Sequence, residues 1–473
     1  MTSPITQARG VGPALSVLCA LAVGVACGSS SSSSADGGAA PGDGAGSESG
    51  AGSGSGSGGS SGTSSSDAGT DAGDGANSGD GAGDGVDSSV GAATVTVGQS
   101  AGKASATYFY YDPSGVNAHA IINEAIAAAA KHASASSPAE VLIEAAARPY
   151  VLNGHVISQS NVNIAGASRD SVTLKIAGGI TPVPYDPISA PDGWGGVDTP
   201  KSEGAIINVW SGISNVRISN LTFDGSWDDL YSSRARGAAE FVLINIYGAS
   251  HVLVDHCKFI HGADDGILCT NNSSLIEVSH NDFDMVGHDC FQVWSSSSVK
   301  YHHNVCAMRT NSGVRFAGSS DGCEAYANEF YTGSGGAAGV ELETGASNVK
   351  IYNNYFHDIS GAGSAYGAIG YGPGLPAGDA PTGGGHQYYD NLIVNCAYGV
   401  SNVPSTAIAK DNVVLSCPKT IVGGTSSDNI TADSGYAFSK FGSNANDDTY
   451  WVVTSGPLAT AFSGIKVGID PKL

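Results

Sequence analysis

The chain has 473 residues and a formal net charge of −23 at pH 7, and glycine alone fills 68 positions. Residues 29–87 hold nine acidic and no basic residues, so the chain after them has 34 acidic and 19 basic residues, a net charge of −15. An excess of this sign predicts no nucleic-acid partner. It also disfavours unaided binding of a polyuronate, which would need a local arginine cluster or bridging Ca²⁺.

The first 27 residues predict an export signal. Arg9 precedes an apolar run over 11–25, and the small residues Val25 and Ala26 come directly before Cys27. A charged start, a short apolar stretch and small residues before the break are typical of a secretory signal and too short for a comfortable membrane span. Cys27 after Val-Ala resembles a bacterial lipobox. We therefore expect an exported protein, either lipid-anchored at Cys27 on the bacterial surface or outer membrane, or secreted after cleavage of a plain signal peptide.

Residues 28–92 predict a disordered tether. They consist almost entirely of Ser, Gly, Ala and Asp, and such a stretch cannot bury enough apolar surface to offset its chain entropy. The folded domain is therefore expected over residues 93–473.

A helix and a C-terminal segment are expected to close the two ends of this domain. Residues 117–133 have apolar residues at helical spacing, and strand-like sequence follows them. An amphipathic helix at this place would cover the first strands, whose edge and core would otherwise be exposed. Residues 431–473, where the pattern described next has faded, would cover the other end.

A short pattern recurs from about residue 151 to 422. The segments VLVDHCKF, IEVSHNDF, VKYHHNVC, CEAYANEF and VKIYNNYF align on one polar slot. That slot is filled by Cys257, Asn281, Asn304, Asn328, Asn354, Asn391 and Asn412, at spacings of 24, 23, 24, 26, 37 and 21 residues. Such periods indicate a solenoid, and the β-branched and aromatic runs between Gly and Asn indicate short strands. Two residues further on, a second column is expected to point into the core: Phe223, Phe259, Phe283, Cys306, Phe330, Phe356, Ile393 and Val414.

With these repeats the chain resembles the right-handed parallel β-helix superfamily of pectate lyases and polygalacturonases. The resemblance implies an all-β fold, a right-handed parallel β-helix solenoid with an N-terminal capping helix. It further implies that GILCT, CFQVW, GVRFA and GVELE are the strands lining a cleft, and that the loops 224–240 and 361–385 wall it.

Ionisable residues converge on those four strands. Alternation along a strand predicts that Gln292, Arg315 and Glu341 face the cleft, together with Asp264 and His288. Asp265 and Asp289 are placed in the preceding turns, because burying two unpaired carboxylates is too costly. The next outward column is Thr270, Trp294, Ala317 and Glu343.

Two resemblances assign different reactions to this cluster, hydrolysis and β-elimination. Asp265-Gly266-Ile267 and Asp289-Cys290 resemble polygalacturonase segments whose aspartates serve as acid and base of an inverting hydrolysis. His288 stands where that family has a second Asp, and neither its Gly-His-Gly nor its Arg-Ile-Lys segment follows. GHDCFQVW with RTNSGVRF is similar to disaggregatase-like depolymerases of surface polysaccharides.

The second resemblance implies β-elimination. His288 or an arginine would remove a proton, and Arg309, Arg315 or a Ca²⁺ ion held by Asp264, Asp265 and Asp289 would neutralise a uronate carboxylate. The predicted catalytic residues are thus Asp264, Asp265, His288, Asp289, Arg309 and Arg315, and the predicted sugar contacts are Gln292, Trp294, Glu341 and Trp227.

The same residues have structural alternatives. Turn aspartates usually satisfy backbone donors, and Arg315 with Glu341 would be a surface ion pair worth under about 1 kcal/mol. We expect a monomeric enzyme that cleaves an extracellular polysaccharide, as lyase or hydrolase. The alternative is a non-catalytic glycan-binding surface protein or adhesin.

Seven cysteines lie beyond the first 27 residues. Cys396 and Cys417 fall five residues past ladder asparagines on successive coils, about 4.8 Å apart, which predicts a disulfide. Cys257 and Cys306, in the ladder and core columns, are expected to be buried thiols.

Overall fold

A computed structural model of the chain describes residues 93–100, 107–177, 204–226, 241–284, 286–308, 311–332, 338–343, 345–359, 367–370, 383–431, 437–440, 451–455 and 466–467. The predicted signal with Cys27, the tether, Trp227 and Arg309 lie outside the described residues, as does most of both predicted cleft loops.

The domain is a right-handed parallel β-helix, as predicted, in which successive coils add one strand to each of three parallel sheets. The first sheet contains Val156–Ile157, Gly204–Val209, Phe241–Tyr247, Ile267–Thr270, Phe291–Trp294, Val314–Ala317, Val340–Leu342, Ile369–Gly370, Tyr398–Lys410 and Lys419–Ser427. The second contains Thr94–Gly98, Tyr108–Tyr110, Ala139–Ile143, Val162–Gly166, Ser214–Ser219, Ser250–Asp255, Ser274–Ser279, Ser297–His302, Glu324–Tyr326, Lys350–Tyr352 and Gln387–Tyr389, and it is continued by the last two long strands of the first. The third contains Tyr150–Leu152, Thr173–Ile176, Thr222–Asp224, Lys258–Ile260, Asp282–Asp284, Val305–Met308, Glu329–Thr332, Tyr355–His357, Leu392–Val394 and Val413–Leu415.

Three further strands in the region of the predicted C-terminal cap pair antiparallel with one another. They are Ala437–Lys440, Trp451–Ser455 and Lys466–Val467.

The predicted inward column is the centre of the core. Phe223, Phe259 and Phe283 stack with ring centroids 5.1 and 4.6 Å apart, and Phe330 stacks on Phe356 at 4.9 Å. All of these rings are buried. In-register parallel strands place equivalent side chains one strand spacing apart, so like residues stack on like.

The asparagine ladder satisfies the hydrogen-bonding groups of the turns between the second and third sheets. Each ladder amide donates to a main-chain carbonyl and to the next Asn, and its oxygen accepts the preceding slot's backbone N–H. The ladder runs one step beyond the predicted end, because Asn412 donates 2.9 Å to Oδ1 of Asn429. These buried polar groups are therefore paired, as burial requires.

The predicted helix spans Ala118–Ala130 and begins after Asn117. It buries Ile122, Ala125, Ile126 and Ala129 in the same core cluster as the neighbouring strands. The helix thus covers the start of the core as predicted. Within the described part of the chain, no helix is long and apolar enough to cross a membrane.

The disulfide prediction is wrong. Cys396 and Cys417 are not bonded to each other: each sulfur lies near the carbonyl two residues before it, on Val394 and Leu415 respectively, and the Cys396 backbone N–H donates to Cys417 Sγ at 3.4 Å. Equivalent side chains on stacked parallel strands point the same way and stay about one strand spacing apart, whereas a disulfide needs Cβ atoms about 3.5–4.5 Å apart. Cys257 and Cys306 are buried thiols, as predicted.

Candidate active site

The candidate site lies on the outer face of the first sheet, where four successive strands are in the predicted register. Gln292 pairs with Arg315, and Arg315 pairs with Glu341. The residue that precedes each of them on its strand is buried in the core: Phe291, Val314 and Val340. Alternation along the strand therefore directs Arg315 and its column outward.

Asp265 and Asp289 lie in the turns before their strands, as predicted, yet both are buried. Their burial is compensated by donors. Asp265 Oδ1 accepts the backbone N–H of Asp289 at 3.0 Å, and Asp289 Oδ1 accepts Ser312 N–H at 2.9 Å and Asn311 Nδ2–H at 2.7 Å. The turn of one coil is thus held by the carboxylate of the coil before it.

Arg315 binds three carboxylates, which come from the coils on either side of its own. Its Nη2 is 2.6 Å from Asp289 Oδ2, its Nε is 3.4 Å from Glu341 Oε2, and its Nη1 is 3.6 Å from Glu343 Oε1. Glu341 also accepts a hydrogen bond of 2.6 Å from the Ser312 hydroxyl. Arg315 with Glu341 is therefore a buried network, and the surface ion pair considered above does not describe it.

His288 stands between this network and two aspartates. Its Nδ1 is 2.9 Å from Asp265 Oδ1 and 3.5 Å from both Asp264 Oδ1 and Asp289 Oδ2, while Arg315 Nη2 lies 2.7 Å from its Nε2. A guanidinium can only donate, so Nε2 accepts and Nδ1 carries the ring proton. Asp265 therefore fixes the tautomer and orientation of His288.

Burial and neighbouring charges raise the pKa values of three groups in this cluster. Desolvation, with the charges of Asp264 and Asp289 added, raises the pKa of Asp265 well above its usual value. Desolvation also raises the pKa of Glu341, against the attraction of Arg315. Burial works against the charge of Arg315, but Asp289, Glu341 and Glu343 outweigh it and raise the pKa of the guanidinium. Arg315 thus stays charged, and the two carboxyls bind protons more readily than usual.

Side-chain exposure separates the groups that can reach a substrate from those that cannot. Asp264 and His288 are 14% exposed, Glu343 is 13% and Arg315 is 11%, whereas Asp265 and Glu341 are 2% and Asp289 is 0%. The prediction that Glu341 contacts sugar is therefore wrong, because Ser312 and Arg315 enclose it. Asp265 and Asp289 are likewise buried, in contact with His288 and Arg315.

Glu343 is the residue that the sequence analysis placed in the right column without giving it a role. His288 and Glu343 contact different terminal nitrogens of Arg315. Those contacts put His288 Nε2 and Glu343 Oε1 at most about 9 Å apart, an upper limit that does not exceed the ~6.5–9.5 Å between acid and base in inverting glycosidases. Its signal was the spacing GVELE, which places a second glutamate two residues after Glu341 on the same face.

The predicted Ca²⁺ site does not fit these contacts. Asp289 is held by Arg315, and the ligand atoms that converge within 4.8 Å are those of Asp264, Asp265 and His288 instead. Ca²⁺ prefers an all-oxygen shell. Moreover, Nδ1 of His288 carries a proton as long as Arg315 donates to Nε2, and a protonated nitrogen cannot be a ligand.

Of the predicted sugar contacts, Gln292 and Trp294 are partly exposed on the outer face, beside Arg315 and Ala317 respectively. Trp227 and Arg309 lie outside the described residues.

Comparison with known proteins agrees with the fold. The family described as "Right handed beta helix region" matches residues 199–368. The predicted resemblance to the right-handed β-helix superfamily is thereby confirmed.

Relatives and similar structures carry the names of polysaccharide enzymes. Pectate trisaccharide-lyase of Thermotoga maritima is 31% identical over 102 residues, which are 19% of this chain and 27% of that protein. The match thus spans about a quarter of the relative's length. The polygalacturonase of Erwinia carotovora ssp. carotovora is 12% identical at a TM-score of 0.43, covering 71% of this chain and 95% of that one. The exopolygalacturonase of Thermotoga maritima is 12% identical at 0.42, covering 71% and 90%.

Proposed function

We propose that this protein is an exported, monomeric enzyme that hydrolyses an extracellular polysaccharide at the cluster around Arg315. The observation that carries the proposal is the placement of His288 and Glu343, which are partly exposed and contact different terminal nitrogens of the Arg315 guanidinium. A glycosidic bond lying over Arg315 would have a proton donor on one side and a carboxylate on the other. Export and lipid anchoring at Cys27 are part of the proposal, because they would hold the domain where such polymers occur.

In this mechanism His288 is the general acid. Donation requires the imidazolium, in which Nε2 carries the second proton and Arg315 has moved off that atom. Oxygens of Asp264, Asp265 and Asp289 within 3.5 Å of Nδ1 stabilise that cation. The proton passes from Nε2 to the glycosidic oxygen as the bond to the anomeric carbon breaks.

Glu343 is the general base. Its carboxylate takes a proton from a water molecule, whose oxygen bonds to the anomeric carbon on the face opposite the leaving sugar. One water is consumed for each bond cleaved, and the configuration at the anomeric carbon inverts. Arg315 holds Glu343 through Nη1 and so keeps the base in place.

Elimination is a second candidate because of the relative named a pectate trisaccharide-lyase. His288 would then act as base through Nε2 and remove a proton next to a uronate carboxylate. This route consumes no water and leaves an unsaturated product, so the two candidates differ in product mass.

The test is mass spectrometry of fragments released by the purified chain from a panel of neutral, amino-bearing and acidic polysaccharides. We expect fragments that have gained one water each, and an inverted anomer by NMR at early times. Fragments lighter by one water would establish elimination instead. If polymers are retained but no fragments appear across the panel, the protein is a glycan-binding protein or adhesin.

The variants His288→Asn and Glu343→Gln assign the roles. Both are expected to lower turnover by about 10²–10⁴-fold, the usual contribution of a positioned acid or base. Retention of the polymer should change little, since each replacement keeps the size and hydrogen-bonding capacity of the side chain. Unchanged turnover in both variants would remove the cluster from the mechanism.

A further inference from the structure

We infer that the substrate of this site is a polysaccharide without uronate carboxylates, either uncharged or bearing amino groups. The inference rests on the proposed function and adds the charge class of the polymer. It rests on three observations: the contacts of the Arg315 guanidinium, the side chains on the neighbouring strands, and the charge of the segments that connect those strands in the sequence.

The cluster has more negative charge than its own cations offset. Five carboxylates lie within 3.6 Å of His288 or Arg315: Asp264, Asp265, Asp289, Glu341 and Glu343. If Asp265 and Glu341 both hold protons, three carboxylates still face one guanidinium and a neutral imidazole. A uronate placed here would meet like charges in a poorly solvated site, where repulsion is strong.

Arg315 is not available to an acidic sugar. Its three nitrogens are directed at Asp289, Glu341 and Glu343, and only 11% of the side chain is exposed. Recognition of a carboxylate by arginine normally uses two parallel N–H groups of the fork. A bridging Ca²⁺ ion, the other way to accommodate a uronate, does not fit the ligand set either.

The strands that continue the outer face toward the N-terminus carry neutral polar and aromatic side chains. In the column in register with Arg315, Asn208, Asn245 and Leu268 are buried, and Asn245 donates to Asn208, whereas Gln292 is partly exposed. In the neighbouring column Trp210 meets Tyr247 edge to face at 6.0 Å, and Thr270 and Trp294 lie further along. Among the described residues of these two columns, Arg315 is the one cation. Amides suit sugar hydroxyls, and aromatic faces suit the C–H faces of sugar rings.

The loops that adjoin these strands add no net positive charge. Residues 178–203 have four acidic and one basic residue, residues 227–240 have three and two, and residues 360–382 have one and none. The net charge of these segments is therefore negative, as is that of the described site.

The experiment compares two matched pairs of polymers. Polygalacturonate is compared with its methyl ester, and a β-linked glucosamine polymer with its N-acetylated form, at equal ionic strength. We expect the ester to be cleaved or bound at least about tenfold better than the free acid, because esterification removes the repelled charge. Free amine and acetylated polymer should be at least as good as the ester, and added salt should narrow the gap for the free acid.

Retention of the His288→Asn variant on the same four polymers measures the charge preference without turnover. Absence of cleavage by the unchanged chain would therefore overturn the proposed function alone, and the order of retention would still decide this inference. Preference for free polygalacturonate, in cleavage or in retention, would overturn it.

Charge insertion gives a second readout. Thr270→Lys should raise retention of polygalacturonate about tenfold by placing a cation beside Trp294, whereas the matched Thr270→Gln should not. Equal retention by both variants would also contradict the inference, since the deficit of positive charge would then not limit binding.

Discussion

Two stacks of ionisable side chains run along this β-helix, and they differ in how charge is treated. In the histidine stack, His256, His280 and His303 occupy the turns after the second sheet, with ring centroids 5.0 and 4.8 Å apart and planes within 3° of parallel. In the cluster around Arg315, Asp265 and Asp289 repeat on two successive coils, but the outward column changes from Gln292 to Arg315 to Glu341. The histidine stack repeats one residue, as the core phenylalanines do, whereas that outward column changes at every coil.

The difference shows where a repetitive fold can place chemistry. Burial, with the neighbouring His302 and His280 added, lowers the pKa of His303 to about 3. In the Arg315 cluster, by contrast, groups of opposite charge are in contact, and His288 stays partly exposed. Identical side chains stacked on successive coils stabilise the fold, and different ionisable side chains in register form the candidate active site.

Among the substitutions that test this comparison, the one at His288 should have the largest effect, and that effect is on turnover. His288→Asn should reduce cleavage by about 10²–10⁴-fold through loss of proton transfer, while the melting temperature changes little. The matched control is His280→Asn in the histidine stack, where Asn suits the left-handed backbone at φ 56°. Equal loss of turnover in both variants would show that the site does not depend on His288 chemistry.

The next effect is on stability. Arg315→Ala leaves Asp289 buried without its counter-charge, which should lower the free energy of unfolding by about 3–5 kcal/mol in urea denaturation. Lys350→Ala removes an ion pair with Glu324 in which the lysine is 44% exposed, so its cost should stay under about 1 kcal/mol. Similar costs for the two variants would place Arg315 in a solvated environment.

The two stacks should respond oppositely to pH. His303 has a lowered folded-state pKa, so the unfolded chain binds more protons below about pH 6.5, and stability should fall from there toward pH 3. Asp265 has a raised folded-state pKa, so the folded chain binds more protons above about pH 4, and its contribution should fall as pH rises from there.

Urea unfolding between pH 4 and 8 separates these contributions. His303→Asn should flatten the acid side of the stability profile, and Asp265→Asn should flatten the decline toward neutral pH. A variant that flattened the other side would reverse the assignment.

The smallest effect is expected at Cys396 and Cys417. Because the two sulfurs are not bonded to each other, a reducing agent should leave the melting temperature unchanged, and Cys417→Ala should cost under about 1 kcal/mol. A native disulfide here would instead cost about 2–5 kcal/mol on removal. A large fall in melting temperature on reduction would restore the disulfide.

Most of the fold could be predicted because its signals are local and repeated. The ladder asparagines and inward phenylalanines recur at one coil's spacing, so each coil confirms the alignment of the next. The same register placed Gln292, Arg315 and Glu341 in one column. Prediction failed for Cys396 and Cys417, since coil spacing says how near two side chains are but not that they point in parallel.

The sequence by itself determined the β-helix, its helix cap and the column in which the ionisable residues meet, because in-register parallel strands turn sequence period directly into spatial position. Only the tertiary structure decided which of those residues reach the surface. Asp289 and Glu341 are enclosed by Arg315, Asn311 and Ser312 of the coil between them, and Asp265 by His288 and Asp289 of the next coil, while His288 and Glu343 stay partly exposed. Burial and hydrogen bonding between coils depend on side-chain direction, which a period does not encode.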